Sequence, residues 1–125
     1  NVRHDMSDTR PWPSEIRVSK DKSELTVVFE SGEHFTLRAE MLRVLSPSAE
    51  VQGHSPEQRV TVPGKRNVKI AQVLPIGNYA VRLVFDDRHD SGIFTWIYLH
   101  ELGVSGTEKW EGYLAELAAK GLTRG

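Results

Sequence analysis

Alternating apolar and polar residues in the first third of the chain predict three short strands. The apolar positions recur with the period of two typical of strands that bury one face. They are Ile16, Val18, Leu25, Val27, Phe29, Phe35 and Leu37. Polar turns at 20–23 and 31–32 separate the three runs. The pattern predicts a meander whose second strand turns its odd-numbered residues to the core, with Val28 indicating partial cover on the other face.

The period changes after the third strand. One stripe of a short helix is predicted from Ala39, Met41, Leu42 and Leu45, and Ser46-Pro47-Ser48 ends it. The segment 46–66 then carries three prolines and two glycines, which predicts a long loop broken at most by a short strand at Arg59–Val62. Loops of this length in a small domain are more often functional than simple connections.

Two further strands are predicted between residues 67 and 85. Val68, Ile70 and Leu74 alternate through 67–74, and 75–78 has the composition of a turn. In the next strand one apolar face is predicted, formed by Tyr79, Val81, Leu83 and Phe85. A polar turn at 86–92 follows.

The last third of the chain predicts helix. Residues 93–102 begin like a strand and finish as a helical turn that Gly103 closes. Ser105 and Glu108 then stand at capping-box spacing. Behind them Trp110, Tyr113, Leu114, Leu117 and Ala118 form the stripe of an amphipathic helix that Gly121 ends.

These elements predict an α+β fold: a mainly antiparallel sheet, a short helix after the third strand and a C-terminal amphipathic helix. We expect one domain over residues 13–122, because single domains have about 100–150 residues. Residues 1–12 are polar and lead into Pro11-Trp12-Pro13, which favours an extended tail. Met6 is a candidate natural start, which would make residues 1–5 part of a tag.

Composition removes several classes of function. The chain has 125 residues, no cysteine and a formal net charge of −1. Without thiols it has no disulfide, thiolate metal site or cysteine nucleophile, and near-zero net charge argues against nucleic-acid binding. It has no apolar run long enough to span a membrane and no signal-peptide pattern. The sequence therefore predicts a cytoplasmic protein.

The aromatic residues are predicted to be mostly internal. The strand faces place Phe29, Phe35, Tyr79 and Phe85 in the core, and helix-to-sheet packing is expected for Trp96, Tyr98, Trp110 and Tyr113. Trp12 either pins the tail to the domain or stays exposed.

A metal site is one candidate for chemistry. His89 lies between Asp87 and Asp90, and His54 in the long loop could join it. Two imidazoles and a carboxylate would suit iron(II), with zinc as the alternative. The spacing matches no standard ligand motif, so a polar turn whose aspartates accept backbone N–H groups is the competing interpretation.

Two other motifs are candidates for chemistry. Lys65 and Arg66 follow Gly64 and could hold a phosphate or carboxylate, although a solvated basic turn is the favoured interpretation and no Walker motif is present. A triad of His89, Asp90 and Ser91 is rejected, because consecutive residues cannot form the nucleophile–base–orienter relay.

Six ordered motifs together resemble a known family. They are Trp12-Pro13, 39–43 (AEMLR), 46–54 (SPSAEVQGH), 64–66 (GKR), 75–81 (PIGNYAV) and 89–96 (HDSGIFTW). They resemble the gamma-butyrobetaine hydroxylase-like N-terminal domain family, whose small bacterial members were long catalogued as a domain of unknown function. The resemblance runs from about Trp12 to about Gly121.

The resemblance implies a β-rich α+β module found alone or attached to larger proteins. In gamma-butyrobetaine hydroxylase it precedes the iron- and 2-oxoglutarate-dependent catalytic domain, and in some plastid proteins a related domain follows an ATPase with iron–sulfur clusters. The 125 residues contain only the module, so hydroxylase activity is not expected.

The resemblance also implies a zinc position. In the hydroxylase the module holds zinc through three cysteines and a histidine, which fall here on Ser46, Ser48, Val51 and His89. Three of these four ligands are absent, since serine is a poor zinc ligand at neutral pH and valine is none. We therefore expect no inherited zinc site and no required cofactor.

The leading interpretation is a non-catalytic accessory module that binds a protein partner or small ligand, linked to iron or iron–sulfur metabolism. The alternative is an iron- or zinc-binding protein that uses His54 and His89 with Asp87 or Asp90.

Overall fold

The computed structural model describes residues 11–52 and 60–125. The first sheet contains strands β1 (Pro13–Val18), β2 (Glu24–Phe29) and β3 (His34–Arg38) in the order β1-β2-β3. Both pairings are antiparallel. Leu25, Val27 and Phe29 are buried and Val28 is half-buried, as the alternation predicted. Helices α1 (Ala39–Val44) and α2 (Ala49–Gln52) follow.

The second sheet contains β4 (Ile70–Ile76), β5 (Ala80–Phe85) and β6 (Gly92–Thr95), again antiparallel and in chain order. β4 extends past the predicted end at residue 74 and includes Pro75. Proline is tolerated there because β4 is an edge strand and one edge of its backbone needs no sheet partner. Residues 60–62 form no strand, and Arg59 lies outside the described residues.

A long helix, α3 (Trp96–Ala119), starts directly after β6. The predicted stop at Gly103 is wrong, because the helix continues through it and bends at Ser105, whose φ of −111° and ψ of 16° are not helical. Gly103 serves packing instead, since a Cβ at this position would overlap the ring of Phe35. The capping-box spacing at Ser105 and Glu108 therefore falls on the kink after which the second part of α3 begins.

The core lies between the inner faces of the two sheets and the helices. Its largest fully buried side chains include Phe29, Phe85, Phe94, Leu42 and Leu99. Trp96, Tyr98 and Trp110 pack against this core and Tyr113 is buried within it, as predicted. The α+β expectation with a mainly antiparallel sheet, a short helix after β3 and a C-terminal helix is confirmed, with the strands divided between two sheets.

Among the described residues, no helix combines the length and apolar character that crossing a membrane requires.

Candidate functional site

The structure describes three of the four predicted metal residues. His89 is buried, with 4% of its surface exposed, and its ring Nε2 lies 3.0 Å from Ser46 Oγ. The Asp87 carboxylate pairs with Arg43 and Lys65, and Asp90 is exposed. His54 lies outside the described residues. Metal binding by this set stays a prediction.

The buried Ser46, Ser48 and His89, together with the exposed Ser91, form a group that we call the serine–histidine cluster. Ser48 Oγ lies 2.6 Å from Ser91 Oγ, and the backbone N–H of Ser48 donates to Ser46 Oγ at 3.2 Å. Gln52 Nε2 donates to the Ser46 carbonyl at 2.9 Å. These bonds join the segment after α1 to the turn before β6. They satisfy polar groups that would be expensive to bury alone.

Gly92 is required by this arrangement. A Cβ there would lie 2.6 Å from Ser46 Oγ and 3.0 Å from the Phe94 ring. Because real Cβ atoms essentially never come so close to another heavy atom, any side chain would displace the cluster or the ring. The polar turn prediction missed this role, since only the fold brings Ser46 next to Gly92.

The cluster does not fit the zinc that the family resemblance implies. Ser46 already shares its hydroxyl with the His89 ring, Ser48 with Ser91, and Val51 offers no donor atom. Neutral hydroxyls in place of thiolates leave a single nitrogen ligand where a structural zinc needs four N or S donors. Within residues 11–52 and 60–125, no group of three or more His, Cys, Asp or Glu side chains is placed to hold a metal ion.

Asp87 instead joins three elements through ion pairs. Arg43 Nε lies 2.8 Å and Lys65 Nζ 2.6 Å from the same carboxylate oxygen, while the other oxygen accepts the backbone N–H of His89 at 3.1 Å. Burial alone would raise the pKa of Asp87. The hydrogen bonds from Lys65, Arg43 and His89 outweigh burial and lower the pKa to about 2. The carboxylate is therefore charged at neutral pH.

The predicted anion-binding residues lie in a polar groove of about 220 Å³, lined by residues 64–68 together with Asp86, Asp87, Arg124 and Gly125. Two of its backbone donors are engaged, because Gly64 N–H donates to Thr123 and Arg66 N–H to Arg124. Lys65 binds Asp87 and Arg66 is exposed. Anion binding here stays a prediction.

A buried carboxylate escaped the sequence analysis altogether. Glu40, 2% exposed, receives two hydrogen bonds from Arg124 at 2.8 and 2.7 Å and one from Arg38 at 3.1 Å. The two guanidinium groups also stack on Trp110, at 5.6 Å for Arg38 and 5.3 Å for Arg124. No local pattern links Glu40 to a residue 84 positions later.

An apolar surface site lies at the other end of β6 from the cluster. We call it the aromatic pocket: about 230 Å³ lined by Pro11, Trp12, Tyr79, Thr95, Trp96 and Ile97. Tyr79 and Ile97 are 53% and 55% exposed. The prediction that Tyr79 belongs to the core is wrong, because β5 begins one residue later and Tyr79 lies in the turn.

Backbone and side-chain bonds hold the walls of this pocket. Thr95 caps α3 by accepting the backbone N–H of Tyr98 at 3.1 Å, which fixes the start of the helix at Trp96. The indole N–H of Trp96 donates to Asn78 O at 2.8 Å, and Trp96 N–H donates to Tyr79 O at 3.1 Å. The carbonyl of Trp12 accepts the N–H of Glu30 at 2.8 Å. Trp12 thus anchors the start of the described chain to the domain.

A larger groove of about 420 Å³ runs between β3 and α3. Its lining mixes apolar side chains such as Met41 and Leu114 with the charged Arg38 and Glu111. It is separate from the aromatic pocket and shares no lining residue with it.

Comparison with known proteins identifies the family. Residues 16–100 match the family model described as gamma-butyrobetaine hydroxylase-like, N-terminal. No curated protein is similar enough to match. A structure solved by NMR in solution is 48% identical, covers 92% of this chain and 90% of its own, and has a TM-score of 0.78. A second NMR structure is 44% identical over 96% of this chain and 89% of its own, with a TM-score of 0.79.

A crystal structure at 1.93 Å of a protein of unknown function from Acidithiobacillus ferrooxidans ATCC 23270, of the DUF971 family, is also similar. It is 38% identical, covers 73% of this chain and 91% of its own, and has a TM-score of 0.60. Because the family model spans well over half of the sequence and the solved relatives share its fold, this chain belongs to the gamma-butyrobetaine hydroxylase-like N-terminal domain family.

Proposed function

We propose that this protein is a non-catalytic binding module that contacts another protein through the aromatic pocket. The observation that carries the proposal is the pocket itself, where Tyr79 and Ile97 leave more than half of their surface in water. Exposed apolar patches with aromatic residues are typical of protein interaction sites. Ile93, which is 41% exposed on β6, adds apolar surface from the same strand as Thr95.

The buried polar groups support a non-catalytic role. A nucleophile or general base must reach a substrate, but Ser46, Ser48 and His89 are buried and bonded within the serine–histidine cluster. Asp87 is engaged by two cations. These four side chains thus stabilise the fold.

A double substitution in the aromatic pocket tests the proposal. We expect Tyr79→Ser combined with Ile97→Ser to abolish capture of a partner from extracts of the source organism. Leu114→Ser, which alters an apolar residue that is 36% exposed in the larger groove, should leave that capture unchanged. Circular dichroism establishes that the wild type and both variants are folded.

The proposal is wrong if both variants capture the same proteins as the wild type, or if Leu114→Ser loses them and the pocket variant does not. Extracts from iron-replete and iron-starved cells extend the test to the proposed link with iron metabolism, which rests on the resemblance alone. A pocket-dependent partner whose capture changes with iron supply would support that link.

A further inference from the structure

We infer that the aromatic pocket takes an extended, proline-containing segment of the partner, an inference that rests on the proposed function and gives the partner its chemistry. The first reason is electrostatic. Among the described residues, no charged side chain lines the aromatic pocket, whereas Lys65, Asp87 and Arg124 line the polar groove. Burying a charge in an apolar pocket without a counter-charge is costly, so the residues that enter the pocket are uncharged.

The second reason is size. At about 230 Å³ the pocket is smaller than the roughly 300–1,000 Å³ of sites that enclose a drug-sized molecule. An amphipathic helix needs a long groove that takes side chains at several successive turns. The pocket has room for a few side chains from one short stretch of an extended chain.

The third reason is the chemistry of the walls. Proline-rich segments in the polyproline II conformation dock on surfaces lined by aromatic rings, because the rings offer flat apolar faces to the proline rings. Trp12, Tyr79 and Trp96 supply three such rings. One wall already contains a proline of this chain, Pro11, beside Trp12.

The fourth reason is a donor at the rim. A polyproline II segment makes no internal hydrogen bonds, so its carbonyls need outside donors. The Trp96 indole N–H is already bound to Asn78. In the part of the chain that the structure describes, the Tyr79 hydroxyl makes no protein hydrogen bond, and it is available to donate to a ligand carbonyl.

The three tryptophans of the chain make a direct test possible. Trp12 and Trp96 line the pocket, and Trp110 lies under the guanidinium groups of Arg38 and Arg124. In a ¹⁵N-labelled full chain, the indole N–H signals of Trp12 and Trp96 report the pocket and that of Trp110 is an internal control. The probe is a short synthetic peptide of repeated proline and leucine, and its control has alanine in place of every proline.

We expect the proline peptide to shift the Trp12 and Trp96 signals saturably while the Trp110 signal stays in place. The alanine peptide should bind at least about tenfold more weakly, because its flexible chain must be ordered on binding. Tyr79→Phe keeps the ring and removes the hydroxyl. It should weaken peptide binding roughly 2- to 13-fold, the equivalent of one net hydrogen bond of about 0.5–1.5 kcal/mol.

Three results overturn the inference: no shift of Trp12 or Trp96 at saturating peptide, equal shifts with the alanine peptide, or an equal affinity for Tyr79→Phe. If one of these occurs while Tyr79→Ser with Ile97→Ser still loses its captured partner, the proposed function stands and only the chemistry of the occupant is wrong. If the pocket variant also keeps its partner, both fail.

Discussion

The serine–histidine cluster and the aromatic pocket lie at opposite ends of the same short strand, β6, and are built on opposite principles. At Gly92 the strand abuts polar side chains that face inward and bind one another. At Thr95 it borders apolar side chains that face water. The comparison shows that, at one end of β6, a serine and a histidine stabilise the fold, while at the other end apolar side chains form the accessible surface. Residue type alone would have assigned these roles the other way round.

The largest expected effect comes from filling the space that the cluster needs. Gly92→Ala should lower the free energy of unfolding by about 3 kcal/mol, because its Cβ would overlap Ser46 Oγ and the Phe94 ring. Urea denaturation measures the change. In the double variant with Ser46→Ala part of the loss should be recovered, so strictly additive effects would contradict the proposed contact.

Removing the central hydroxyl should have the next largest effect. Ser46→Ala removes the hydroxyl that accepts the Ser48 N–H and contacts the His89 ring, and we expect a loss of about 2 kcal/mol. Ser14→Ala is the matched control, since the exposed Ser14 hydroxyl bonds only the Val28 carbonyl. Equal losses for the two variants would show that the cluster adds nothing to stability.

Asp87→Asn should lower the free energy of unfolding by about 1 kcal/mol at neutral pH. The effect is smaller than for a fully buried ion pair, because Arg43 and Lys65 are partly exposed and water screens the charges. The folded pKa of about 2 lies below the ordinary value of 3.8. The charged form therefore stabilises the fold above about pH 4, and this contribution is lost as the pH falls toward 2. Denaturation series at pH 5 and pH 3 should show a smaller difference between wild type and variant at pH 3. A difference that grows on acidification would contradict the ion-pair assignment.

A substitution in the aromatic pocket should have almost no effect on the free energy of unfolding measured by urea denaturation. Tyr79→Ser should change the free energy of unfolding by less than about 0.5 kcal/mol, because the side chain is mostly in water. A loss as large as that of Ser46→Ala would mean that Tyr79 supports the fold and is not a contact residue.

The smallest expected effect is that of a chelator. EDTA should leave the melting temperature unchanged, because the His89 ring contacts Ser46 and the Asp87 carboxylate pairs with Arg43 and Lys65. A metal at a hundred times its Kd would stabilise the folded state by about 2.7 kcal/mol. Elemental analysis of untagged protein gives the independent check. One equivalent of iron or zinc would establish the metal site predicted from His54, His89 and the aspartates.

Several features of the fold could be predicted because they depend on neighbouring residues. The alternation in β2 is local, and so is the helical stripe of α1. Errors arose where a local signal had two meanings. Gly103 is a common helix end, but here it lets α3 approach Phe35, and Tyr79 continues the β5 alternation although it lies in the preceding turn.

The candidate sites were harder to predict from the sequence, because their residues are far apart along the chain. His89 and Ser46 are 43 residues apart, and Glu40 and Arg124 are 84 apart. The charges around His89 indicated a metal, whereas the fold directs Asp87 to Arg43 and Lys65. The family motifs placed Ser46 and His89 at related positions, and the structure shows the contact.

The sequence by itself determined the class of this protein: the strands, the helices and the absence of thiol chemistry follow from residue types and their short-range order. Tertiary structure alone decided which polar groups bond to one another and which aromatic rings are exposed to water. The reason is that burial depends on what the rest of the chain places over a residue, and that covering comes from segments that no local period can connect.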